Sequence, residues 1–360
     1  MTSKVTITDI ARLAVVSKAT VSRVLNHRPD VDPATRARVK RIIDEQGFVP
    51  NLVATVHAGG RSRFVGVLVQ SLIWPLIPDV MLGVSDLVTG TDYELILYNI
   101  THTEDCASSI DRVFAKNLTS GILAIFPGQS VQYLETLADQ GQPIVIIDDQ
   151  GKPTRAPWVG ADNRTGARNA VRHLIQLGHR QIAHIQGPSS YACSWERYQG
   201  YCDALTEAGI PANPNLVRVG NFEQPSGRTC AEALLDAPDI FTAVFAGNDL
   251  MAYGFIEIAE ARGLHIPTDI ALVGFDDIAP SAHTRPGLTT VRQPFFEMGR
   301  QGIELLLSLI EVAAPASMRH LPHRKDPTRV VPHIELETRL VIRESCGMNQ
   351  PLLMHQRPSR

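Results

Sequence analysis

Residues 7–26, ITDIARLAVVSKATVSRVLN, and residues 31–51, VDPATRARVKRIIDEQGFVPN, decide how this chain is read. Thr6 with Asp9 three positions later fits an N-cap with an acidic N3 partner. It opens a short helix whose apolar Ile10, Leu13 and Ala14 recur at helical spacing. After a break at Val15-Val16, Ser17 can cap a second helix that runs to about Asn26. At about 100° per residue its side chains segregate: Val21, Val24 and Leu25 face one way, Lys18, Ala19, Ser22 and Arg23 the other. A third helix begins with Asp32 as N-cap and Pro33 at N1, carries Val39, Ile42 and Ile43, and stops near Gly47. Two short helices joined by a tight turn, with polar residues leading the outward face of the second, describe a helix-turn-helix that can enter the major groove.

Charge follows the same division. The 360 residues carry a net −3, but residues 1–61 hold ten basic groups against five acids, a net of +5, and the remainder is −8. A polyanion-binding head on an acidic body accounts for that asymmetry, because lysine and arginine at phosphates supply most non-specific DNA affinity. With 44% hydrophobic and 20% charged residues the composition is globular, and no apolar run approaches the roughly 18 residues needed to span a bilayer. The five cysteines show no metal or disulfide spacing, so reduced thiols are expected and neither a metal nor a cofactor is. The N-terminus lacks the apolar core of a signal peptide, which points to the cytoplasm.

From Phe64 onward, short β-branched runs alternate with amphipathic stretches. Residues 64–70, 93–99, 121–127 and 143–149 read as strands, and the cycle restarts at 181–186, 216–220, 242–247 and 270–276. Continuous apolar strands separated by helices imply parallel sheets covered on both faces, hence two similar α/β subdomains. Ligands are expected at the carboxyl ends of the strands, in the cleft between them. Asp148, Asn248 and Asp276 fall there, and such groups accept and donate the paired hydrogen bonds of a polyol. Asp249 is either a helix cap or a further contact, and His179 and His184 read as packed residues.

The two N-terminal strings resemble the DNA-binding head of the LacI/GalR family of bacterial transcription regulators. LGHRQIAHIQGP (177–188), AGNDLMAYG (246–254), ALVGFDD (271–277) and LTTVRQP (288–294) extend the resemblance along nearly the whole chain. It implies a small all-α helix-turn-helix head plus an α/β periplasmic-binding-protein-like core of two doubly wound parallel-sheet subdomains. The implied division is a head at 1–47, a hinge at 48–62, a core at 63–344 and a tail at 345–360. Within the core, 63–161 and 292–323 form one subdomain, 162–291 and 324–344 the other.

The resemblance also assigns residues. Lys18, Ala19 and Arg23 would read base edges, the two cations at guanine and the methyl group at thymine. Thr6, Ser17, Thr20, Ser22 and Asn26 would cap or contact phosphates. Asn51, Ala54 and His57 lie in the hinge, which in the family forms a short helix on DNA. His57 stands where the family has a minor-groove leucine, so operator kinking is not implied. Val15 stands where the family has glycine, so the turn is distorted or strained. Arg197 matches the family's ligand-binding arginine, Phe222 its stacking aromatic, and Trp74 adds a ring from the other subdomain.

A transcription regulator acting as a repressor is therefore the expectation: a homodimer on a pseudo-palindromic operator in the cytoplasm, at the nucleoid, controlled by a sugar or glycoside. A purine or nucleoside effector is the alternative. A transport solute-binding protein is disfavoured by the head, and an enzyme by the absence of nucleophile-elbow, P-loop or dinucleotide motifs.

Overall fold

The computed structural model describes residues 5–25, 28, 30–48, 62–100, 106–115, 118–147, 154–312 and 331–347, and the chain forms two compact units, Met1–Ser62 and Arg63–Arg360.

The first unit holds helices α1 (Ile7–Leu13), α2 (Lys18–Leu25) and α3 (Pro33–Gln46). Each starts where a side chain satisfies otherwise orphaned N–H groups. Thr6 and Asp9 form a reciprocal capping box, with the Asp9 carboxylate accepting the Thr6 N–H at 3.0 Å. Ser17 Oγ accepts the Thr20 N–H at 3.0 Å, and Asp32 accepts the Thr35 N–H at 2.9 Å. Gly47, at φ 59°, ends α3 in the left-handed conformation that glycine adopts without cost. Ile10, Ala14, Val21, Val24, Val39 and Ile42 close a core among the three helices. Val15 adopts φ 52° in the turn between α1 and α2 with its side chain exposed. The turn keeps its geometry and the valine bears the strain, roughly 1–3 kcal/mol for a β-branched residue in that region.

The second unit contains two six-stranded sheets. The first comprises β1 (Phe64–Val69), β2 (Glu94–Asn99), β3 (Gly121–Ile125), β4 (Ile144–Ile147), β5 (Trp158–Ala161) and β11 (His333–Leu336), in the order β11-β5-β4-β3-β1-β2, and every pairing is parallel. Helices α4 (Ile77–Val88), α5 (Cys106–Ala115) and α6 (Val131–Asp139) connect its strands. The second comprises β6 (Ile182–Gln186), β7 (Val217–Val219), β8 (Ala243–Ala246), β9 (Ala271–Asp276), β10 (Thr289–Arg292) and β12 (Arg339–Val341). Its order is β12-β10-β9-β8-β6-β7, parallel except for β10 with β12. Here the intervening helices are α7 (Asn163–Gln176), α8 (Ala192–Glu207), α9 (Gln224–Leu235) and α10 (Asp249–Ala261). Strands such as β3, β4 and β9 are buried at every residue, which is why they appear in the sequence as uninterrupted apolar runs.

Among the described residues the chain passes between the sheets three times. After β5 it enters α7; after β10 it enters α11 (Phe295–Val312), which packs on α4; after β11 it enters β12. Helices α4 and α11 touch backbone to backbone, since a Cβ on Gly83 would overlap Phe296 O and one on Gly299 would overlap Val80 O. The third passage corrects the expectation that residues 324–344 lie wholly in the second subdomain. Strand β11 pairs with β5 and seats Ile334 and Leu336 on the first hydrophobic core, so the crossing falls at Glu337-Thr338. Four residues with alternating polarity are too short a signal to reveal this. Thr338 Oγ1 donates to Asp162 O at 3.1 Å and Asp162 N–H to Leu336 O at 2.9 Å, which ties the first crossing to the third. Nor does the tail begin at 345: Ser345 and Cys346 are buried, and Ser345 Oγ accepts the Thr289 N–H at 2.8 Å while donating to Leu272 O at 2.6 Å.

Candidate functional site

In the head, burial of Val21 and Val24 turns the opposite face of α2 outward, and Lys18, Ala19 and Arg23 on it are exposed. Arg23 lies 3.6 Å from Asp30, with both side chains more than half exposed. Such a pair is worth about 0–1 kcal/mol and leaves the guanidinium available to a stronger acceptor. Of the residues expected to cap or to contact phosphates, Thr6 and Ser17 are caps, and Thr20 Oγ1 lies 2.9 Å from Ser17 Oγ. Ser22 is half-buried beside Arg23. Asn26, Asn51, Ala54 and His57 lie outside the described residues, as does Asp148 in the core.

In the core, the carboxyl ends of β6, β8 and β9 bring Gly187, Gly247, Asn248 and Asp276 together. Helix α8 starts after β6 and delivers Arg197 from its second turn. Arg197 is 2% exposed. Its Nε donates to Asn163 Oδ1 at 2.9 Å and its Nη1 to Gly247 O at 2.7 Å, with Asp276 Oδ1 at 3.4 Å from Nη1. The guanidinium carbon stands 3.8 Å from the centroid of the Phe275 ring and 5.6 Å from that of Phe222. Burying a guanidinium is tolerable only with such a set of acceptors, and stacking on an aromatic face adds to it. Asp276 is held at φ 107° and Asp277 at φ 55°, a backbone that L residues adopt only where their surroundings impose it.

Phe222, also at positive φ (68°), lays its ring over Gly187, where a Cβ would overlap it, and against Tyr191 with centroids 6.1 Å apart and planes 19° apart. On the first sheet, half-buried Trp74 follows β1 and meets Phe126, which follows β3 at φ 47°, edge to face at 6.5 Å. Both sheets thus present aromatic rings at their carboxyl ends.

Asn248, expected at the effector, also has a structural part. Its Oδ1 accepts the Met251 N–H at 3.0 Å and caps α10, while Nδ2 donates to Phe222 O at 2.9 Å. The amide therefore fixes the backbone under the stacking ring. Asp249 is neither cap nor rim contact. It is fully buried, and its carboxyl receives Ile278 N–H at 3.0 Å, Ser281 Oγ at 2.7 Å and Thr290 Oγ1 at 2.5 Å. Burial, helped by the Asp276 charge, pushes its pKa up to about 8. His184 is packed as expected: it lies between rings, 5.0 Å from both Tyr201 and Phe245, and burial holds its pKa down at about 4.

Asn163, Tyr191, Phe275 and Gln293 belong to the cluster and escaped the sequence reading. Asn163 and Gln293 do follow strands, β5 and β10, but both strands are only four residues long. Among the described residues no group of His, Cys, Asp and Glu could hold a metal ion, and no helix is long and apolar enough to cross a membrane.

Comparison with known proteins accords with this arrangement. Residues 6–51 match the bacterial regulatory proteins of the lacI family, and residues 171–346 match a periplasmic binding protein-like domain. Catabolite control protein A of Priestia megaterium is 34% identical over 325 residues, covering 89% of this chain and 97% of that protein. The HTH-type transcriptional regulator CelR of Thermobifida fusca is 34% identical over 355 residues, 94% of this chain and 98% of its own. Among solved structures, a Lac repressor dimer bound to operator and the anti-inducer ONPF superposes with a TM-score of 0.82 at 28% identity, covering 96% of this chain and 99% of that one. A CelR–cellobiose complex gives 0.69 at 32% identity, covering 95% and 99%. Head, core and full-length relatives agree, and the chain belongs to the LacI family of bacterial regulatory proteins.

Proposed function

We propose that the chain is a homodimeric transcriptional repressor whose operator affinity is set by a sugar or glycoside bound between the two sheets of its core. The observation that carries the effector reading is the buried Arg197–Asp276 pair beside the Phe222 ring. A donor fork, an acceptor carboxylate and an apolar plate are what adjacent hydroxyls and the C–H face of a pyranose require. Trp74 supplies a further ring from the first sheet, Asp148 would add a second carboxylate, and Asn248 holds the backbone of Phe222. Lys18, Ala19 and Arg23 read the major groove, with Ser22 and Asn26 at the phosphates. Thr6, Ser17 and Thr20 set the helix ends that make those contacts possible, and Asn51, Ala54 and His57 follow the duplex toward the minor groove. A two-fold dimer places two heads on a pseudo-palindromic site, and the protein acts at the nucleoid of the cytoplasm.

A nucleoside effector is the second reading, favoured by the near-parallel Tyr191 and Phe222 rings, a surface on which a flat base stacks. Fluorescence anisotropy with labelled operator, titrated with sugars and with nucleosides, tests both. The first reading expects steeply salt-dependent binding in the range of about 10–0.01 nM, weakened by a sugar. Operator binding that no compound alters would remove the effector role, and absence of sequence-specific binding would remove the repressor role.

A further inference from the structure

The second crossing carries Gln293, between the end of β10 and the start of α11. The residue is 3% exposed, and its Nε2 donates to Asp276 Oδ1 at 2.8 Å. That oxygen is the one facing Arg197 Nη1. At the other end of the same amide, Gln293 Oε1 is buried without a hydrogen-bond partner among the described residues. Buried acceptors are nearly always satisfied in native proteins, so an orphan at this position calls for a reason.

The surroundings hold this contact firmly from one side. Asp277, its side chain 3% exposed, accepts from Arg292 Nε at 2.5 Å and from Arg343 Nη2 at 2.7 Å. The carboxyl end of β9 is thereby pinned to the last residue before the second crossing and to the segment after β12. Gln293, one residue further on, leaves this clamp and leads into α11, which belongs to the other sheet. Its side chain therefore grips the candidate effector carboxylate from a residue whose position depends on how the two halves of the core are set.

We propose that Gln293 couples occupancy of the effector site to the angle between the two halves: a ligand hydroxyl donating to Asp276 Oδ1 displaces the Gln293 amide and frees the crossing. The idea rests on Asp276 being an effector contact, as argued above. It also narrows the ligand class to molecules with two adjacent hydrogen-bond donors, such as a vicinal diol. One donor takes Asp276, and its neighbour meets the Gln293 Oε1 that now lacks a partner. If a ligand breaks the Asp276–Gln293 bond, removing that bond by substitution biases the chain in the same direction as the ligand does.

The test uses the full-length protein and a fluorescein-labelled operator obtained by binding-site selection. Anisotropy is measured alone and with about 10 mM D-glucose, cellobiose, D-ribose or adenosine. Gln293→Leu is expected to shift the compound-free operator Kd by about fivefold or more, and Asp276→Ala, which deletes the acceptor, to shift it the same way, with the double variant no further than either. Any compound that moves wild type should move Gln293→Leu in the same sense but less than about twofold. Gln293→Glu guards against a packing artefact. Near pH 8 two facing carboxylates repel and should reproduce the shift, whereas near pH 6 a shared proton should restore much of the wild-type value.

A Gln293→Leu protein that binds operator within about twofold of wild type, or a Gln293→Glu protein indifferent to pH, overturns the proposal. If none of the compounds alters wild type, the effector reading fails instead. The compound-free comparison still decides the role of Gln293.

Discussion

Arg197→Met offers the sharpest test of the core site. Methionine keeps an unbranched stem over the Phe275 ring but removes the donors to Asn163, Gly247 O and Asp276. Asp276, its side chain 11% exposed, then loses the guanidinium 3.4 Å away. Breaking a buried pair by deleting one partner costs about 3–5 kcal/mol. Gln293 still donates to Asp276 at 2.8 Å, which places the cost near the lower end of that range. At about 2–4 °C per kcal/mol for a domain of this size, the core should melt roughly 6–12 °C lower. Arg197→Met/Asp276→Asn removes the uncompensated charge and should recover at least about half of that loss, whereas independent roles would make the two losses add. Calorimetry of the three proteins beside wild type reads both quantities, and operator anisotropy on the same samples should show the head still binding DNA. A single variant melting within about 1 °C of wild type, or a double variant no better than the single, would refute the account of this site.

Three further outcomes follow from other parts of the molecule. Val15→Gly should relieve the strained turn at φ 52°, with the gain partly offset by the looser unfolded chain, and raise amide protection around α1 and α2 by about two- to fivefold in hydrogen exchange; unchanged or lower protection would show that the valine is unstrained. Arg23→Ala should cost about 1–3 kcal/mol at the cognate operator and relax one base position in a binding-site selection, a role denied if the selected sequence is unaltered. The core should also lose stability in mild alkali. His184, held at about 4 against an ordinary 6.5, favours the folded state progressively as pH rises from about 4 to 6.5; Asp249, raised from 3.8 to about 8, disfavours it from about 4 to 8. The two slopes cancel up to about pH 6.5, and only the Asp249 loss, on the order of 2 kcal/mol, remains between there and pH 8. Melting curves should fall over that interval for wild type and stay level for Asp249→Asn.

Local chemistry was legible in the sequence wherever a feature depends on neighbours a few residues away. Thr6 with Asp9, Asp32 with Pro33, and Gly47 announce their helix ends because caps act over three or four positions. The fully buried strands are visible for a related reason, since no polar residue interrupts them. What stayed hidden depends on distant pairing. The partners of Arg197 come from α7, from the loop after β8 and from β9, and nothing within the run 193–201 names them. Asn248 and Asp249 are adjacent in the sequence, and only the direction of α10 decides that one caps it while the other is driven into the core. The third crossing was misplaced because β11 and β12 together span seven residues, and pairing with opposite sheets leaves no trace in their composition.

The link from Asn248 to the backbone of Phe222 bears on how relatives of this protein could come to recognise different molecules. The ring at position 222 is carried on a mount whose fastening, a helix cap and one carbonyl, involves no atom of the ring itself. Exchanging the ring for another flat side chain alters the surface offered to a ligand and leaves the mount untouched. Altering the mount tilts every ring that could be placed on it. Taste and posture are thus separable traits in this fold, and a lineage can revise the first many times while inheriting the second unchanged.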